Sequence, residues 1–373
     1  MKKFKNVTTI LLSAMLILGL VSCGTSNKES VNEDSNVQAQ ENNDSHYPVT
    51  ITTYNYAKEA VEITFDKAPE KVVAIYQNSI ETMLALGLED RIVAAAGLDH
   101  DVKNEYKEAF SKVNYLEEFT PSKEAIIMEK PDFILGWYSL FDDKRLGDID
   151  YWNESGVNTY ISLNSGVAQE RTIENEINDI LNLGKIFNVE DKAQAIVDEI
   201  TSTVNEVSSK VSNEEKQSAM VVEFFDDEIY TYGSKTLAGD MVTKLGAEVL
   251  NPEGGNIGAE DLIKLNPDCI FISYMDRGDE SVPVEEVNKI LENPAFASLS
   301  AVKSKRVYAI PLGDMYSSGI RTIDGINTFA NGLYGNEEES FKRSSYLYRN
   351  FCHTINYTFF IYRFCCYHGV CGY

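Results

Sequence analysis

The segment that most constrains the fold runs from Gln169 to Val211 and has the pattern of two long helices. Apolar residues recur in it three or four positions apart: Ile173, Ile177, Ile180, Leu181, Ile196, Ile200, Val204, Val207 and Val211. This spacing places them on one face of each helix, with charged and amide side chains opposite. Asn188 is expected to cap the start of the second helix. A helical segment in the middle of the chain predicts two lobes joined by a stiff bridge, residues 168–213.

Short apolar runs alternate with helical patterns on both sides of the bridge. The runs with the composition of strands are residues 71–76, 133–136, 218–225, 270–273 and 306–310. Strands that alternate with helices predict parallel pairing and a layered arrangement. The expected fold class is therefore α/β. It comprises two similar three-layer α/β lobes, residues 48–167 and 214–335, with a ligand cleft between them.

An internal repeat relates the two expected lobes. Glu124 and Glu260 each begin a short helix, and in each copy a Pro-Asp pair and an apolar strand follow. The Asp of that pair is Asp132 in the first copy and Asp268 in the second. Two lobes built alike favour a ligand site at the cleft between them. Chance similarity of two helix–turn–strand units is the alternative.

The N-terminus has the features of an export signal, residues 1–22. Three lysines among the first five residues precede a mostly apolar stretch that is too short to span a bilayer comfortably. It ends in Leu-Val-Ser-Cys at Cys23, the pattern of a bacterial lipoprotein whose cleavage leaves a lipidated cysteine. An ordinary secretory signal is the alternative. Residues 23–47, rich in Ser, Asn and acidic residues, are expected to form a flexible linker, so we expect an extracytoplasmic protein anchored to the cell membrane by lipid.

Composition and motifs exclude several functional classes. A net charge of −25 would repel a phosphate backbone, so nucleic acid is not an expected partner. The chain contains no Gly-x-Ser-x-Gly, no Walker loop and no His-Glu-x-x-His. Between Tyr47 and Gly335 the only histidine is His100, which disfavours a metal site built from imidazoles. We therefore expect no enzyme, no catalytic residue, no metal ligand and no cofactor.

The tail, residues 336–373, differs from the rest of the chain in its many aromatic residues and its four cysteines. The spacing of these cysteines with His353 and His368 matches no regular zinc pattern. The tail is interpreted as an out-of-frame extension after a frameshift, with a metal site as the alternative.

Candidate ligand residues follow the predicted strands, where layered α/β lobes place their sites. They are Tyr76, Gln77, Asn78, Trp137, Tyr138, Tyr232, Tyr274, Arg277, Tyr316 and Arg321. Aromatic walls with a few cations suit a large, flat or anionic ligand. The alternatives are packing within each lobe for the aromatic residues and surface ion pairs for the two arginines.

These features together resemble the substrate-binding proteins of ABC importers for iron–siderophore complexes, haem and cobalamin. The resemblance rests on the lipoprotein signal, the helical bridge and the two Glu…Pro-Asp units, and it covers roughly Lys71 to Tyr334. It implies a rigid helical connection and a ligand in a shallow cleft between the lobes. It also implies that one glutamate on each lobe docks to arginines of the permease, and Glu124 and Glu260 hold the matching positions.

The resemblance implies capture of a small ferric chelate of the siderophore type and its delivery to an ABC permease and, through it, to its ATPase. Haem or cobalamin on the same scaffold is the alternative ligand. A surface lipoprotein with a structural or adhesive role and an enzyme with its active site in the cleft are the alternatives of another class.

Overall fold

The computed structural model of the protein describes residues 46–211, 216–225 and 228–335. The expected export signal, Cys23, nearly all of the expected linker and the tail from residue 336 lie outside the described residues. Within the described part, no helix combines the length and the apolar composition that crossing a membrane requires.

The N-terminal lobe contains an antiparallel hairpin and a four-stranded parallel sheet of order β4-β3-β5-β6. Its strands are β1 Val49–Tyr54, β2 Ala60–Phe65, β3 Val72–Ile75, β4 Ile92–Ala96, β5 Phe133–Gly136 and β6 Asn158–Ile161. Its helices are α1 Gln77–Ala85, α2 Lys107–Phe110, α3 Lys123–Met128 and α4 Ile149–Glu154. The parallel pairing predicted for this lobe is confirmed.

The bridge consists of two helices, α5 Ile173–Phe187 and α6 Glu190–Val211, as predicted. The assignment of Asn188 was wrong: it ends α5 in a left-handed conformation, with φ 54° and ψ 48°, and does not start α6. Asparagine tolerates this conformation well, which suits it to a helix C-terminus. The turn is tight because the N–H of Val189 bonds back to the carbonyl of Gly184 at 2.8 Å.

The C-terminal lobe has a six-stranded mixed sheet, in which β10-β8-β7-β11-β12 lie in that order and β9 pairs with β7. Its strands are β7 Ser218–Phe225, β8 Glu228–Thr231, β9 Glu248–Val249, β10 Gly255–Ile257, β11 Cys269–Tyr274 and β12 Val307–Pro311. Its helices are α7 Leu237–Lys244, α8 Ala259–Leu265, α9 Val282–Leu291, α10 Ser300–Lys303 and α11 Thr322–Tyr334. Parallel pairing holds for β7, β11 and β12, but β8 is antiparallel to both of its neighbours, which the sequence pattern did not indicate.

The internal repeat has a structural reason. The carboxylate of Asp132 accepts hydrogen bonds from the backbone N–H groups of Glu70 and Lys71, directly before β3. That of Asp268 accepts bonds from the N–H and the hydroxyl of Ser218, the first residue of β7. In both lobes the Pro-Asp turn therefore aligns its own strand with the neighbouring central strand.

One hydrophobic core connects the lobes through the bridge. It includes Phe133 of the first sheet, Ile180 of α5, Ile200 of α6 and Phe271 of the second sheet. Phe187 at the end of α5 packs edge-on against Phe133, with ring centroids 5.8 Å apart. Burial of apolar side chains on both helices is the main source of stability for such a connection, and it favours a fixed distance between the lobes.

Candidate functional site

The N-terminal wall of the cleft begins at Tyr76, directly after β3. Its backbone has φ 75° and ψ 158°, a region that is occupied almost only by glycine. The strained backbone is held by a hydrogen bond from the N–H of Tyr76 to the carbonyl of Ala96 at 2.8 Å. The tyrosine ring lies over Gly97, where a Cβ would come within 2.7 Å of it. Strain that the surrounding structure maintains in this way is typical of functional sites.

Trp137 forms the centre of the wall. Its ring centroid lies 4.9 Å from that of Tyr76 and 5.8 Å from that of Tyr316, which belongs to the other lobe. Its indole N–H donates to Oδ1 of Asn78 at 2.6 Å. The amide nitrogen of Asn78, in turn, donates to the hydroxyl of Ser162 at 3.1 Å and lies 3.5 Å from that of Ser317. The indole is therefore held in one orientation at the boundary between the lobes.

The C-terminal wall encloses a cavity of about 320 Å³ next to Tyr316. The residues that line it are Arg171, Glu223, Phe225, Tyr230, Tyr232, Thr236 and Tyr316. The guanidinium of Arg171 lies 4.1 Å above the centre of the Tyr316 ring. The Tyr232 hydroxyl donates to the Glu223 carboxylate, and burial together with this neighbouring charge raises the pKa of Tyr232. An anionic aromatic ligand could stack on Tyr316 and pair with Arg171.

A buried ion pair joins the lobes beside the cleft. Arg321 binds Glu81 of α1 with two hydrogen bonds, Nε–Oε2 at 2.5 Å and Nη2–Oε1 at 2.8 Å. The Glu81 side chain is fully buried and that of Arg321 is 12% exposed. Asp314 lies 3.7 Å from the same guanidinium, and burial raises the pKa of Asp314 to about 7. A pair with this geometry and burial holds the start of α11 against the other lobe.

A second polar connection lies behind the wall. Glu176 of α5 is fully buried and accepts hydrogen bonds from the backbone N–H groups of Ser318 and Gly319, at 3.0 and 2.7 Å. It also accepts one from the side-chain amide of Asn164 at 2.7 Å. Burial raises the pKa of Glu176, and these donors oppose that rise. The loop that carries Tyr316 is therefore attached both to the bridge and to α1.

Four predicted ligand residues form one connected group: Tyr76, Asn78, Trp137 and Tyr316. Tyr232 lines the same cavity as Tyr316. Because β8 is antiparallel, Tyr232 hydrogen bonds to Val221 in the middle of β7 and does not lie at the carboxyl edge of the parallel strands.

The other predicted residues lie outside this group. Gln77 is buried and accepts a hydrogen bond from the N–H of Asp99, and Tyr138 stacks on Tyr56 with centroids 4.7 Å apart. Burial raises the pKa of Tyr274 to about 12. Arg277 is exposed in the loop after β11. Burial raises the pKa of Asp99 on the other lobe, and the charges of His100 and Arg277 oppose that rise. The guanidinium of Arg321 is directed at Glu81.

Sequence reasoning missed Arg171, Glu223, Phe225 and Tyr230, which line the cavity, and Arg145, which donates to the Tyr76 hydroxyl at 3.2 Å. Glu223 had one detectable signal, since it is a single charge inside the apolar strand β7. Arg171 had none, because its role depends on Tyr316, which is distant in sequence. Within the described ranges, no cluster of three or more His, Cys, Asp or Glu side chains is arranged to bind a metal ion.

Glu124 and Glu260 occupy equivalent positions in the first turns of α3 and α8, and both are exposed. Neither carboxylate forms an ion pair or a side-chain hydrogen bond with another described residue. Both are therefore accessible to a partner.

Comparison with known proteins gives a consistent result. The model of a family described as periplasmic binding protein matches residues 72–312. A solved periplasmic binding protein from Veillonella parvula DSM 2008 superposes with a TM-score of 0.74 at 36% sequence identity, over 79% of this chain and 93% of that one. These similarities confirm the predicted α/β fold with two lobes.

Two relatives from Bacillus subtilis (strain 168) are similar over nearly their whole length. The ABC transporter substrate-binding lipoprotein YvrC is 24% identical over 86% of this chain and 96% of its own. An iron-uptake system-binding protein is 26% identical over 84% of this chain and 94% of its own.

Proposed function

Because this chain belongs to the periplasmic binding protein family, we propose that it captures a ferric chelate outside the cytoplasm and delivers it to an ABC permease. Proteins of this family bind solutes for ABC transporters and are not enzymes, so family membership confirms both the predicted resemblance and the prediction of no enzymatic activity. The observation that carries the ferric-chelate part is the cavity in which Arg171 lies over Tyr316.

Three further features support a ferric chelate. The indole of Trp137 and the ring of Tyr316 meet across the lobe boundary with centroids 5.8 Å apart, so they form a joint aromatic surface next to the cavity. Arg171 forms no ion pair with any described residue, so its charge is available to an anionic ligand. A relative of similar length is named as a protein of an iron-uptake system. Many iron chelates are large and anionic, and such groups suit aromatic stacking with an arginine.

The first experiment is a fluorescence titration of the mature protein. The two tryptophans are Trp137 at the cleft and Trp152, whose indole is buried and donates to the carbonyl of Leu146. The variant Trp152→Phe makes Trp137 the only indole reporter, and Trp137→Phe is the matched control. The ligands to compare are ferric catecholate, ferric hydroxamate, haem, cobalamin and unchelated ferric iron.

Saturable quenching by one ferric chelate in Trp152→Phe, and its loss in Trp137→Phe, is the expected result. Saturable quenching by haem or cobalamin alone would contradict a ferric chelate as the ligand and would still support ligand capture in the cleft. An absence of saturable binding across the panel would contradict ligand capture and favour a structural or adhesive surface lipoprotein.

Docking to the permease is proposed for Glu124 and Glu260. Exposed charges at two separated points can fix the orientation of the binding protein and steer its approach. Replacing both with Gln is expected to abolish uptake of the chelate by cells while leaving its affinity in the fluorescence titration unchanged. Replacing Glu129 and Glu292, which end helices α3 and α9, provides the matched control. Normal uptake by the double variant would contradict the docking role.

Lipid anchoring is proposed for Cys23, and the relative YvrC is named as a lipoprotein. Cys23→Ala is expected to move the protein from the membrane fraction to the soluble extracytoplasmic fraction and to remove the acyl mass from its N-terminal peptide. An unchanged distribution would contradict the anchor.

A further inference from the structure

The hairpin of β7 and β8 presents one charged and three aromatic side chains on a single face. Side chains two residues apart on a strand share a face, so Glu223 and Phe225 lie together on β7. The register places Tyr230 directly opposite Glu223, and Tyr232 follows two residues later on the same face. All four line the cavity beside Tyr316. We refer to Glu223, Phe225, Tyr230 and Tyr232 as the hairpin cage.

The rings of the cage pack edge to face against one another beside the carboxylate. The Tyr230 and Tyr232 rings meet at 86° with centroids 5.2 Å apart, and the Phe225 and Tyr230 rings meet at 74° with centroids 6.5 Å apart. The Tyr232 hydroxyl donates to Oε2 of Glu223 and so directs the carboxylate. Perpendicular rings expose a face as well as an edge, and ring faces carry the negative part of the aromatic quadrupole.

The Glu223 charge has no cationic partner. Among the described residues, no Lys, Arg or His nitrogen lies within 4.0 Å of its carboxylate, whose only described side-chain partner is Tyr232. Arg171, the cation in the same cavity, is placed over Tyr316. A half-buried carboxylate that lines one cavity with three aromatic rings disfavours an anion there and favours a cation or a strong N–H donor.

We infer that the hairpin cage binds a protonated amine, so that the ligand carries an ammonium arm in addition to its anionic or chelating part. This inference rests on the proposed function, since it describes one end of the same ligand. Arg171 and Tyr316 would contact the anionic or chelating part, while Glu223 pairs with the ammonium group and Tyr230 and Phe225 contact it through their faces. The cavity would then select ligands that carry an ammonium group as well as the anionic or chelating part.

The first part of the test uses a simple ammonium probe and the full mature chain. Binding of n-butylammonium and of 1-butanol, which lacks the charge, is followed by the tyrosine signals in NMR. Wild type is expected to bind the ammonium and not the alcohol, and Glu223→Gln, which can still accept the Tyr232 hydrogen bond, is expected to weaken ammonium binding about tenfold. Glu248→Gln removes the same charge from the exposed edge strand β9 and should bind the probe as wild type does. Equal binding of both probes, or ammonium binding that persists in Glu223→Gln, would overturn the inference.

The second part uses two ferric complexes that differ only at the amine. Ferric desferrioxamine B carries a free ammonium group, and its N-acetylated derivative does not. Wild type is expected to prefer the amine-bearing complex about tenfold, and Glu223→Gln to lose that preference.

The two proposals fail in different ways. Binding of both complexes with equal affinity would overturn the inference that the hairpin cage recognises an ammonium group, and it would support capture of a ferric chelate. Ammonium binding by the cage without binding of any ferric chelate in the larger panel would support the cage and contradict the proposed iron function. The thermal midpoint of Glu223→Gln is measured as a control. A midpoint equal to that of wild type shows that the variant is folded, so that a loss of binding results from the change at the site.

Discussion

The two walls of the cleft are built on different principles. On the N-terminal wall, the polar atoms of Asn78 and Trp137 bond to each other and to Ser162, so they are satisfied before any ligand arrives. On the C-terminal wall, Arg171 and Glu223 keep charges that no described ion pair neutralises. The difference indicates that the first wall provides shape and a fixed orientation, whereas the second provides the chemistry that selects the ligand.

The sheets explain this difference. All four strands of the N-terminal sheet are parallel, so its site residues come from the loops after the strands. The C-terminal sheet adds an antiparallel hairpin, and side chains within strands β7 and β8 face the cavity. Strand positions two residues apart share a face, so a hairpin can gather several side chains around one group.

The ion pair between Arg321 and Glu81, which joins the lobes beside the cleft, is expected to contribute most to stability. Arg321→Ala would leave the fully buried Glu81 without its cationic partner and with only the backbone N–H of Lys103 as a donor, and we expect the free energy of unfolding to fall by about 3–5 kcal/mol. Urea unfolding measures this change. Lys103→Ala is the matched control, because the pair Lys103–Asp324 also joins the lobes but is more exposed and should contribute about 0–1 kcal/mol. Similar losses in the two variants would show that the Arg321 pair is not the main connection.

A smaller effect is expected within the N-terminal wall. Asn78→Ala removes the acceptor of the half-buried Trp137 indole N–H, and we expect the free energy of unfolding to fall by about 0.5–1.5 kcal/mol. Urea unfolding and the emission maximum of Trp137 in the Trp152→Phe background are the measurements. Ser162→Ala keeps the bond between Asn78 and the indole and should leave the emission unchanged. An unchanged emission maximum in Asn78→Ala would contradict the role of Asn78 in fixing the orientation of the Trp137 indole.

The pH dependence of stability tests the protonation of Asp314, which lies beside the Arg321–Glu81 pair. Burial raises the pKa of Asp314 to about 7 in the folded protein, from about 4 in an unfolded chain. The folded state therefore binds the extra proton between about pH 4 and 7, and the contribution of Asp314 to stability is lost as the pH rises through that window. The free energy of unfolding of Asp314→Asn should therefore rise relative to that of wild type between about pH 4 and 7. Above about pH 7 the difference between the two proteins should be constant. A difference that does not vary with pH, measured by urea unfolding, would contradict the raised pKa.

The smallest effect is expected for Arg277, the exposed cation after β11. Its replacement by Ala should slow the association of an anionic chelate about threefold at low ionic strength, with little change in dissociation, because exposed charges act mainly on encounter rates. Stopped-flow quenching of Trp137 measures both rates, and the difference should vanish at high salt. A faster dissociation that persists at high salt would instead place Arg277 in direct contact with the ligand.

Much of the fold could be predicted from local patterns. The spacing of apolar residues in α5 and α6 predicted the bridge, and the two Pro-Asp units predicted the relation between the lobes. These features depend on residues close in sequence, so a periodic pattern or a turn reveals them. The position of Asn188 was wrong because asparagine suits both ends of a helix, and only the backbone dihedrals distinguish the two.

The candidate site was predictable in its aromatic residues and not in its charges. Tyr76, Trp137 and Tyr316 directly follow strands or lie in the loops beyond them, so their position near the cleft could be expected from sequence. Arg321 and Arg277 look alike in sequence, yet one is bound to Glu81 at the lobe boundary and the other is exposed. Arg171 carried no signal at all.

Local sequence patterns are sufficient to predict two α/β lobes, the helices that join them and the equivalent turns at Asp132 and Asp268, because each follows from the periodicity or chemistry of neighbouring residues. Which charges remain available to a ligand depends on contacts between residues that are distant in sequence. Arg321 meets Glu81 across 240 positions of the chain, and that contact removes one cation from the cleft while Arg171 remains over Tyr316. Whether a charge is paired depends on every group that folding brings within a few ångströms of it, and no local pattern records that distance.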